Sequence, residues 1–258
     1  MKRPLILVTN DDGIDSPGIS ALALAMAELG EVVIAAPDRQ QSAVGHALTV
    51  AQPLRVNRFK REDNLVGYAI NGTPADCVKL ALSTILKRKP DLVISGINHG
   101  HNTSVNILYS GTVSAATEGM LLGIPSIAIS LASYDIASKC EAAAIYSKII
   151  AGKILEGNPL PHGTLLNVNI PALTYEDIKG IKITRHSNSY WDDFYEKRTD
   201  PFGRDYYWFS GIYKITDDGN DSDDVAIMDG YVSITPIHFD FTNHNFKNEL
   251  DSIFGKQK

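Results

Sequence analysis

The sequence has little cysteine, no surplus of positive charge and no long apolar run, and each shortage closes off a class of explanation. Two cysteines, Cys77 and Cys140, among 258 residues cannot form a disulfide framework. A reducing compartment is therefore expected, and the chain reads as cytoplasmic. The formal net charge of −6 argues against a nucleic-acid polymer as partner, because that requires a basic face. It leaves room for a small phosphorylated ligand, since a metal and a few amides can invert the charge locally. No stretch approaches the roughly 20 apolar residues of a membrane span. The apolar run after Met1-Lys2-Arg3-Pro4 falls short of the roughly 7–15 residues of a signal peptide. No membrane partner is expected. Three fingerprints are also missing: Gly-x-Gly-x-x-Gly after the first apolar run, Gly-x-x-x-x-Gly-Lys-Ser/Thr, and Gly-x-Ser-x-Gly. Their absence disfavours a dinucleotide fold, a P-loop ATPase and a serine hydrolase in turn.

What is present is an alternation. Leu5–Val8, Val32–Ala36, Leu92–Ser95, Ser126–Ser130 and Leu165–Ile170 are short, apolar and rich in Val, Ile and Leu, as strands buried on both faces should be. Helical stretches lie between them, at Pro17 to Glu28 and at Ile136 to Leu155. Thr73-Pro74-Ala75-Asp76 has the signature of a helix start, with an N-cap Thr, Pro at the first position and an acid three residues after the cap. Cys77 follows it and reads as a small buried apolar residue. Alternation of this kind predicts parallel strands joined by right-handed crossovers, hence a three-layer α/β/α core with a mostly parallel sheet over residues 1–180.

Residues 181–258 change character. Tyr190, Trp191, Phe194, Tyr195, Phe202, Tyr206, Tyr207, Trp208, Phe209 and Tyr213 crowd one stretch, which predicts a β-hairpin arm that packs on a partner subunit or covers a site. The acidic segment Asp217 to Asp224 lacks the spacing of an EF-hand and reads as a solvated loop. Tyr231–Pro236 returns to strand character. From His244 to Lys258, Phe246, Leu250 and Phe254 recur every four residues, which predicts a short amphipathic tail helix.

The chemistry concentrates at strand ends. Asn10-Asp11-Asp12-Gly13 closes the first apolar run. Two carboxylates there repel each other and resist desolvation unless a cation or water sits between them, and ligands of open parallel sheets bind at the carboxyl ends of strands. Ser42 follows the second strand and Asn98 the third. Asp11, Asp12, Ser42 and Asn98 make an all-oxygen set suited to Mg²⁺ or Mn²⁺. Ser110-Gly111-Thr112 opens an Ala-rich helix, where backbone N–H groups and the helix start favour an anion. Asn98, Ser110, Gly111 and Thr112 are therefore the expected phosphate-binding set, and Asn10, His101 and Asn102 the substrate edge. His99 and His101 read as loop residues in preference to ligands of a softer metal. Metal plus anion site is the minimal kit for hydrolysing a phosphate ester, with one of Asp11 or Asp12 orienting the attacking water or taking its proton. A module that binds a nucleotide without hydrolysing it, and a phosphatase for polyphosphate or a sugar phosphate, are the alternatives.

The chain resembles the SurE survival-protein family of metal-dependent nucleoside monophosphate phosphatases. The resemblance rests on Asn10-Asp11-Asp12-Gly13 with Pro17-Gly18-Ile19, Ala36-Pro37-Asp38 leading to Ser42, and Gly72 through Val78. It continues with Pro90 through Asn98, Tyr109-Ser110-Gly111-Thr112-Val113, and Gly230-Tyr231-Val232-Ser233-Ile234-Thr235-Pro236. It implies a Rossmann-like core and one divalent metal per subunit on Asp11, Asp12, Ser42 and Asn98. It implies hydrolysis of nucleoside 5′- or 3′-monophosphates to nucleoside and phosphate by a metal-activated water. A homodimer or homotetramer with exchanged C-terminal segments is also implied. Two positions depart from the family pattern: Ala43 stands where a Gly commonly follows the Ser, and Thr103-Ser104 replaces a segment that often carries Gly.

Overall fold

The computed structural model describes residues 3–60 and 65–255. Met1 and Lys2, and residues 256–258 of the expected tail helix, lie outside the described residues. In chain order the elements are β1 (Leu5–Thr9), α1 (Pro17–Ala27), β2 (Glu31–Pro37), β3 (Val56–Lys60), β4 (Val66–Ile70), α2 (Pro74–Leu80), β5 (Leu92–His99), α3 (Asn106–Tyr109) and α4 (Gly111–Leu121). They continue with β6 (Ser126–Ala132), α5 (Glu141–Leu155), β7 (Thr164–Pro171), β8 (Ile181–Ile183), β9 (Tyr190–Thr199), β10 (Asp205–Lys214), α6 (Asp223–Met228), β11 (Val232–His238) and α7 (His244–Phe254).

Among the described residues, nine strands form one sheet in the order β3-β4-β2-β1-β5-β6-β7-β11-β8, and β9 and β10 pair separately as an antiparallel hairpin. The strands from β4 to β7 run parallel, while β3 and β11 run antiparallel to their neighbours β4 and β7. The expected α/β architecture with its hairpin arm is thus observed. The chain winds outward from β1 through β2 to β4, then returns to β5 and winds the other way. This puts the reversal between β1 and β5, and a crevice opens at the carboxyl ends of those two strands.

The sequence pattern explains the layers. Side chains alternate across a strand, so Ile6 and Val8 of β1 join α1 and α5 in one core while Leu7 joins α2 and α4 in another. Ile6, Leu7 and Val8 are fully buried, and each such side chain contributes about 1.5–3 kcal/mol. α2 starts as expected: Thr73 accepts from Asp76 N while Asp76 accepts from Thr73 N, and Pro74 takes the first position. Cys77 is buried in that second core. Past Leu80 the helix widens into one turn over Ala81–Ile85, where Leu86 N donates to Ala81 O five residues back.

Two expectations need correction, and one pair of strands is unexpected. α5 begins at Glu141, so 136–140 is a loop. β3 and β4 form an edge that their mixed polar pattern concealed. The acidic segment is only partly a loop: Ser222 caps α6, and Asp223 and Asp224 are buried. Asp223 accepts from Ser104 N and Ser187 N, and Asp224 accepts hydroxyl protons from Ser187, Ser189 and Tyr213. Most of these partners lie more than thirty residues away, and together they keep both carboxylates satisfied. No described helix is long and apolar enough to cross a membrane.

One close contact fixes the crevice. A methyl group at Gly18, in the first turn of α1, would lie 2.0 Å from the Ile97 carbonyl oxygen. The helix can seat against the end of β5 only because that side chain is absent. Gly18→Ala is expected to cost about 3 kcal/mol, at the upper end of the usual overpacking penalty. Equilibrium urea unfolding measures it, and a loss under about 0.5 kcal/mol would show that this contact is soft.

Candidate metal and phosphate site

The crevice holds a cavity of about 650 Å³ whose lining includes Asp11, Asp12, Ser42, Asn98, His101, Asn102 and Ser110. Its size is that of a small-ligand site. The register explains why the β1 and β5 donors meet. Thr9 of β1 pairs with Ser95 of β5, so Asp11 lies two residues beyond the pair and Asn98 three. Against β6, Ser95 faces Ala128 and Asn98 faces Ser130. One extra residue is therefore bulged out of β5. The bulge re-aims the strand end beyond it and brings Asn98 level with Asp11.

Asp11 is buried, and burial pushes its carboxyl up from 3.8 to about 6, opposed by Thr112 and aided by the neighbouring charge of Asp12. The Thr112 hydroxyl donates to Asp11 Oδ1 at 2.5 Å. A side chain at Gly111 would meet Asp11 Cβ at 2.7 Å, so the start of α4 abuts this carboxylate. Asp12 is half-buried, its carboxyl also raised by burial. It holds two long contacts, from Gln40 Nε2 and from His99 N, both at 3.4 Å. Asn98 donates its amide to Gly100 O at 2.7 Å, which leaves the side-chain oxygen as its acceptor. Ser42 stands exposed on the loop after β2, followed by Ala43 at φ 56°. That left-handed backbone is the physical reason a Gly would suit position 43.

The other expected residues separate into wall and support. Ser110 lines the cavity and caps α4 by accepting from Val113 N. Gly111 and Thr112 lie behind Asp11, outside the lining. Asn10 is fully buried off the cavity, its amide donating to Gly13 O and Ser16 Oγ. Asn102 is on the wall, held by its backbone to Asn167 and Asn169 and by its side-chain amide nitrogen to Ser130. His101 Nδ1 bonds Thr103 Oγ1 at 2.6 Å. His99 faces Ser138 O and Cys140 Sγ. Among the described residues no three His, Cys, Asp or Glu side chains gather in a way that could hold a metal, so an ion here would draw on the amide of Asn98 and the hydroxyl of Ser42 beside the two carboxylates. Tyr134, Ile136 and Gln40 also line the cavity. Gln40 belongs to the strand-end segment after β2, whereas Tyr134 and Ile136 sit on the loop before α5, and the helix expected from the sequence reaches back to Ile136.

A hard divalent cation fits this donor set. Two carboxylates whose charged forms burial disfavours, together with an amide oxygen and a hydroxyl, are the ligand types such an ion prefers. Its charge would reverse the penalty that raises both carboxyls.

Comparison with known proteins points the same way. The sequence profile of the family described as Survival protein SurE matches residues 6–193. The chain is 49% identical over 253 residues to a protein of Christiangramia forsetii named 5′-nucleotidase SurE, covering 97% of each. It is 47% identical over 252 residues to one of the same name from Flavobacterium johnsoniae, again covering 97% of each. The crystal structure of SurE protein from Aquifex aeolicus superposes with a TM-score of 0.84 at 44% identity, covering 97% of this chain and 99% of that one.

Burial of Asp11 has a measurable cost in metal-free protein. A raised folded-state value means that the penalty appears as pH climbs from 3.8 towards about 6 and is complete above that range. Asp11→Asn keeps an acceptor for Thr112 and removes the charge. In EDTA-treated protein it is expected to raise stability by on the order of 2 kcal/mol at pH 7.5 and to leave it unchanged near pH 4. Thermal melts at the two pH values decide this. Equal melting temperatures of variant and wild type at pH 7.5 would show that the carboxylate is not penalised.

Proposed function

This chain belongs to the SurE survival-protein family, and we propose that it is a 5′-nucleotidase, a metal-dependent phosphomonoesterase that converts nucleoside 5′- or 3′-monophosphates to nucleoside and phosphate. The reading is carried by one observation: two adjacent carboxylates and a bulge-directed Asn98 meet on a single ligand-sized cavity at the point where the sheet order reverses. The names of the relatives agree with it.

Asp11, Asp12, Ser42 and Asn98 would hold one Mg²⁺ or Mn²⁺ ion per subunit. Such an ion would supply Lewis-acid polarisation of the phosphoryl group and a more acidic water. The protein's own groups divide the remaining work. Asp11, pinned by Thr112, is the fixed carboxylate. Asp12 is more open and more weakly bonded, so it is the group free to orient a water and take its proton, a role worth about 10²–10⁴ in rate. Ser110 and Asn98 face the phosphate. Gly111 and Thr112 contribute the start of α4, whose N-terminal partial charge favours anions. His101 and Asn102 face the nucleoside end, and Asn10 supports the turn from behind.

The same reading places the protein in the cytoplasm as a homodimer or homotetramer. The catalytic core expected over residues 1–180 also takes in β8 and β11 from the 181–258 segment, and the hairpin and α7 are the parts of that segment that serve oligomerisation. Two surfaces support this. Tyr195, Phe202, Tyr207, Trp208 and Phe209 stand exposed on the hairpin, and α7 presents Phe246, Leu250 and Phe254 along one stripe.

The test is phosphate release from AMP. EDTA is expected to abolish it, and Mn²⁺ or Mg²⁺ to restore it. Asp12→Asn should lower kcat at least about 10²-fold with the fold retained by circular dichroism. AMP binding without phosphate release under any metal would replace the nucleotidase with a nucleotide-binding module. Release from polyphosphate or sugar phosphates alone would change the substrate class.

A further inference from the structure

A chain of hydrogen bonds runs from a buried carboxylate, through the hairpin, to the cavity. Asp224 is buried and accepts from Ser187 Oγ and Ser189 Oγ. Tyr213, on β10, donates to its two oxygens at 3.2 and 3.0 Å. A carboxylate only accepts, so the single phenolic proton of Tyr213 points to Asp224 and its oxygen is left as an acceptor. Ser189 and Thr103 both lie within reach of that oxygen, but the Ser189 proton is drawn to Asp224 at 2.5 Å, which leaves the Thr103 hydroxyl, 3.3 Å away, to donate to it. With that proton committed, Thr103 Oγ1 accepts from His101 Nδ1 at 2.6 Å.

Followed in this direction, the chain places the imidazole proton on Nδ1 and leaves a lone pair on Nε2. Among the described residues Nε2 of His101 has no hydrogen-bond partner, and His101 lines the cavity. The ring is also braced edge-on, with Tyr134 and Tyr213 at centroid distances of 5.6 and 5.1 Å. Burial holds His101 below the ordinary imidazole value against the pull of Asp224 and Asp223, which favours a neutral ring. Burial also pushes the Tyr213 phenol up to about 12, so its proton stays in place.

We propose that His101 is a specificity-determining residue. The Asp224–Tyr213–Thr103 chain locks it as the Nδ1–H tautomer, and its Nε2 accepts a hydrogen bond from a sugar hydroxyl of the nucleotide. The identity of that donor rests on the nucleotidase reading, while the tautomer does not. A sugar hydroxyl is the donor nearest the phosphate in any nucleoside monophosphate, and His101 follows the phosphate-facing Asn98 by three residues. Tyr213 and Thr103 act through His101 and are positioning residues. The hairpin thereby completes the site of its own subunit.

Two measurements on the full-length protein test this. Nitrogen-15 NMR of labelled histidines is expected to show Nδ1 protonated and Nε2 bare for His101. Tyr213→Phe, which keeps the ring and removes the hydroxyl, and Thr103→Val should give a tautomer mixture, while Thr103→Ser should keep the wild-type signal. An Nε2–H tautomer in the wild type would overturn the lock. In the second measurement, KM for AMP is expected to be about five- to tenfold below that for its 2′,3′-dideoxy analogue, the range of one hydrogen bond. His101→Phe, Tyr213→Phe and Thr103→Val should shrink that ratio, chiefly by raising KM for AMP, and Thr103→Ser should restore it. A ratio unaffected by His101→Phe would overturn the acceptor role. If the wild type releases no phosphate from AMP, the nucleotidase reading fails. Calorimetric binding of AMP and its dideoxy analogue then gives the same ratio and decides this proposal alone.

Discussion

The structure depends on one electrostatic constraint: Asp11, a carboxylate at the end of a buried parallel strand, has been drawn out of water next to a second one. Burial raises both carboxyls, and the fold's own donors only partly offset it. The Thr112 hydroxyl and the backbone N–H groups of Thr112 and Asp11 donate to Asp11, while Asp12 receives two long contacts. The surroundings of Asp11 are shaped to hold it in place more than to solvate it. α4 abuts it through Gly111, and α1 is seated against β5 through Gly18. Hydrogen bonds fix the pair in place, yet burial outweighs them and both carboxyls stay raised, so a bound cation would relieve what the fold does not.

The sequence makes this arrangement legible where the signal is local. Strands buried on both faces read as apolar runs, and that pattern alone places five of them within a few residues. The Thr73-Pro74-Ala75-Asp76 start is readable because every partner in it lies within three residues. The convergence of Asp11, Asp12, Ser42 and Asn98 on one cavity is expected from the rule that ligands of parallel sheets sit at carboxyl ends. That rule needs only the strand positions.

The features that escape the sequence depend on distant partners. Asp223 and Asp224 look like the acidic loop that precedes them until Ser104 and Ser187 arrive from elsewhere in the chain. β3 is an edge strand whose Val56, Asn57 and Arg58 are exposed, and β4 beside it is only partly buried, so neither reads as an apolar run. Ser110-Gly111-Thr112 is readable as a helix start favouring an anion. The sequence does not say that an internal anion, Asp11, already lies against it. The nearest negative group to that helix start belongs to the protein.

That last point constrains how a phosphate could enter. The helix N-terminus offers the equivalent of about half a positive charge, and Asp11 already draws on it. Of the residues lining the cavity, Arg39 is the one Lys or Arg side chain. A phosphate monoester brings between about one and two negative charges at neutral pH, into a space already lined by Asp11 and Asp12. Half a dipole charge and one exposed guanidinium do not offset that sum. At about 4 Å and an effective dielectric constant of about 20, each like-charge pair costs about 4 kcal/mol. A neutral imidazole at His101 adds nothing to the balance. On the reading proposed above, a multivalent cation would offset that sum, and Asp11, Asp12, Ser42 and Asn98 are the residues that would hold it. The same charges that repel a nucleotide on its own would then favour one that arrives with such an ion.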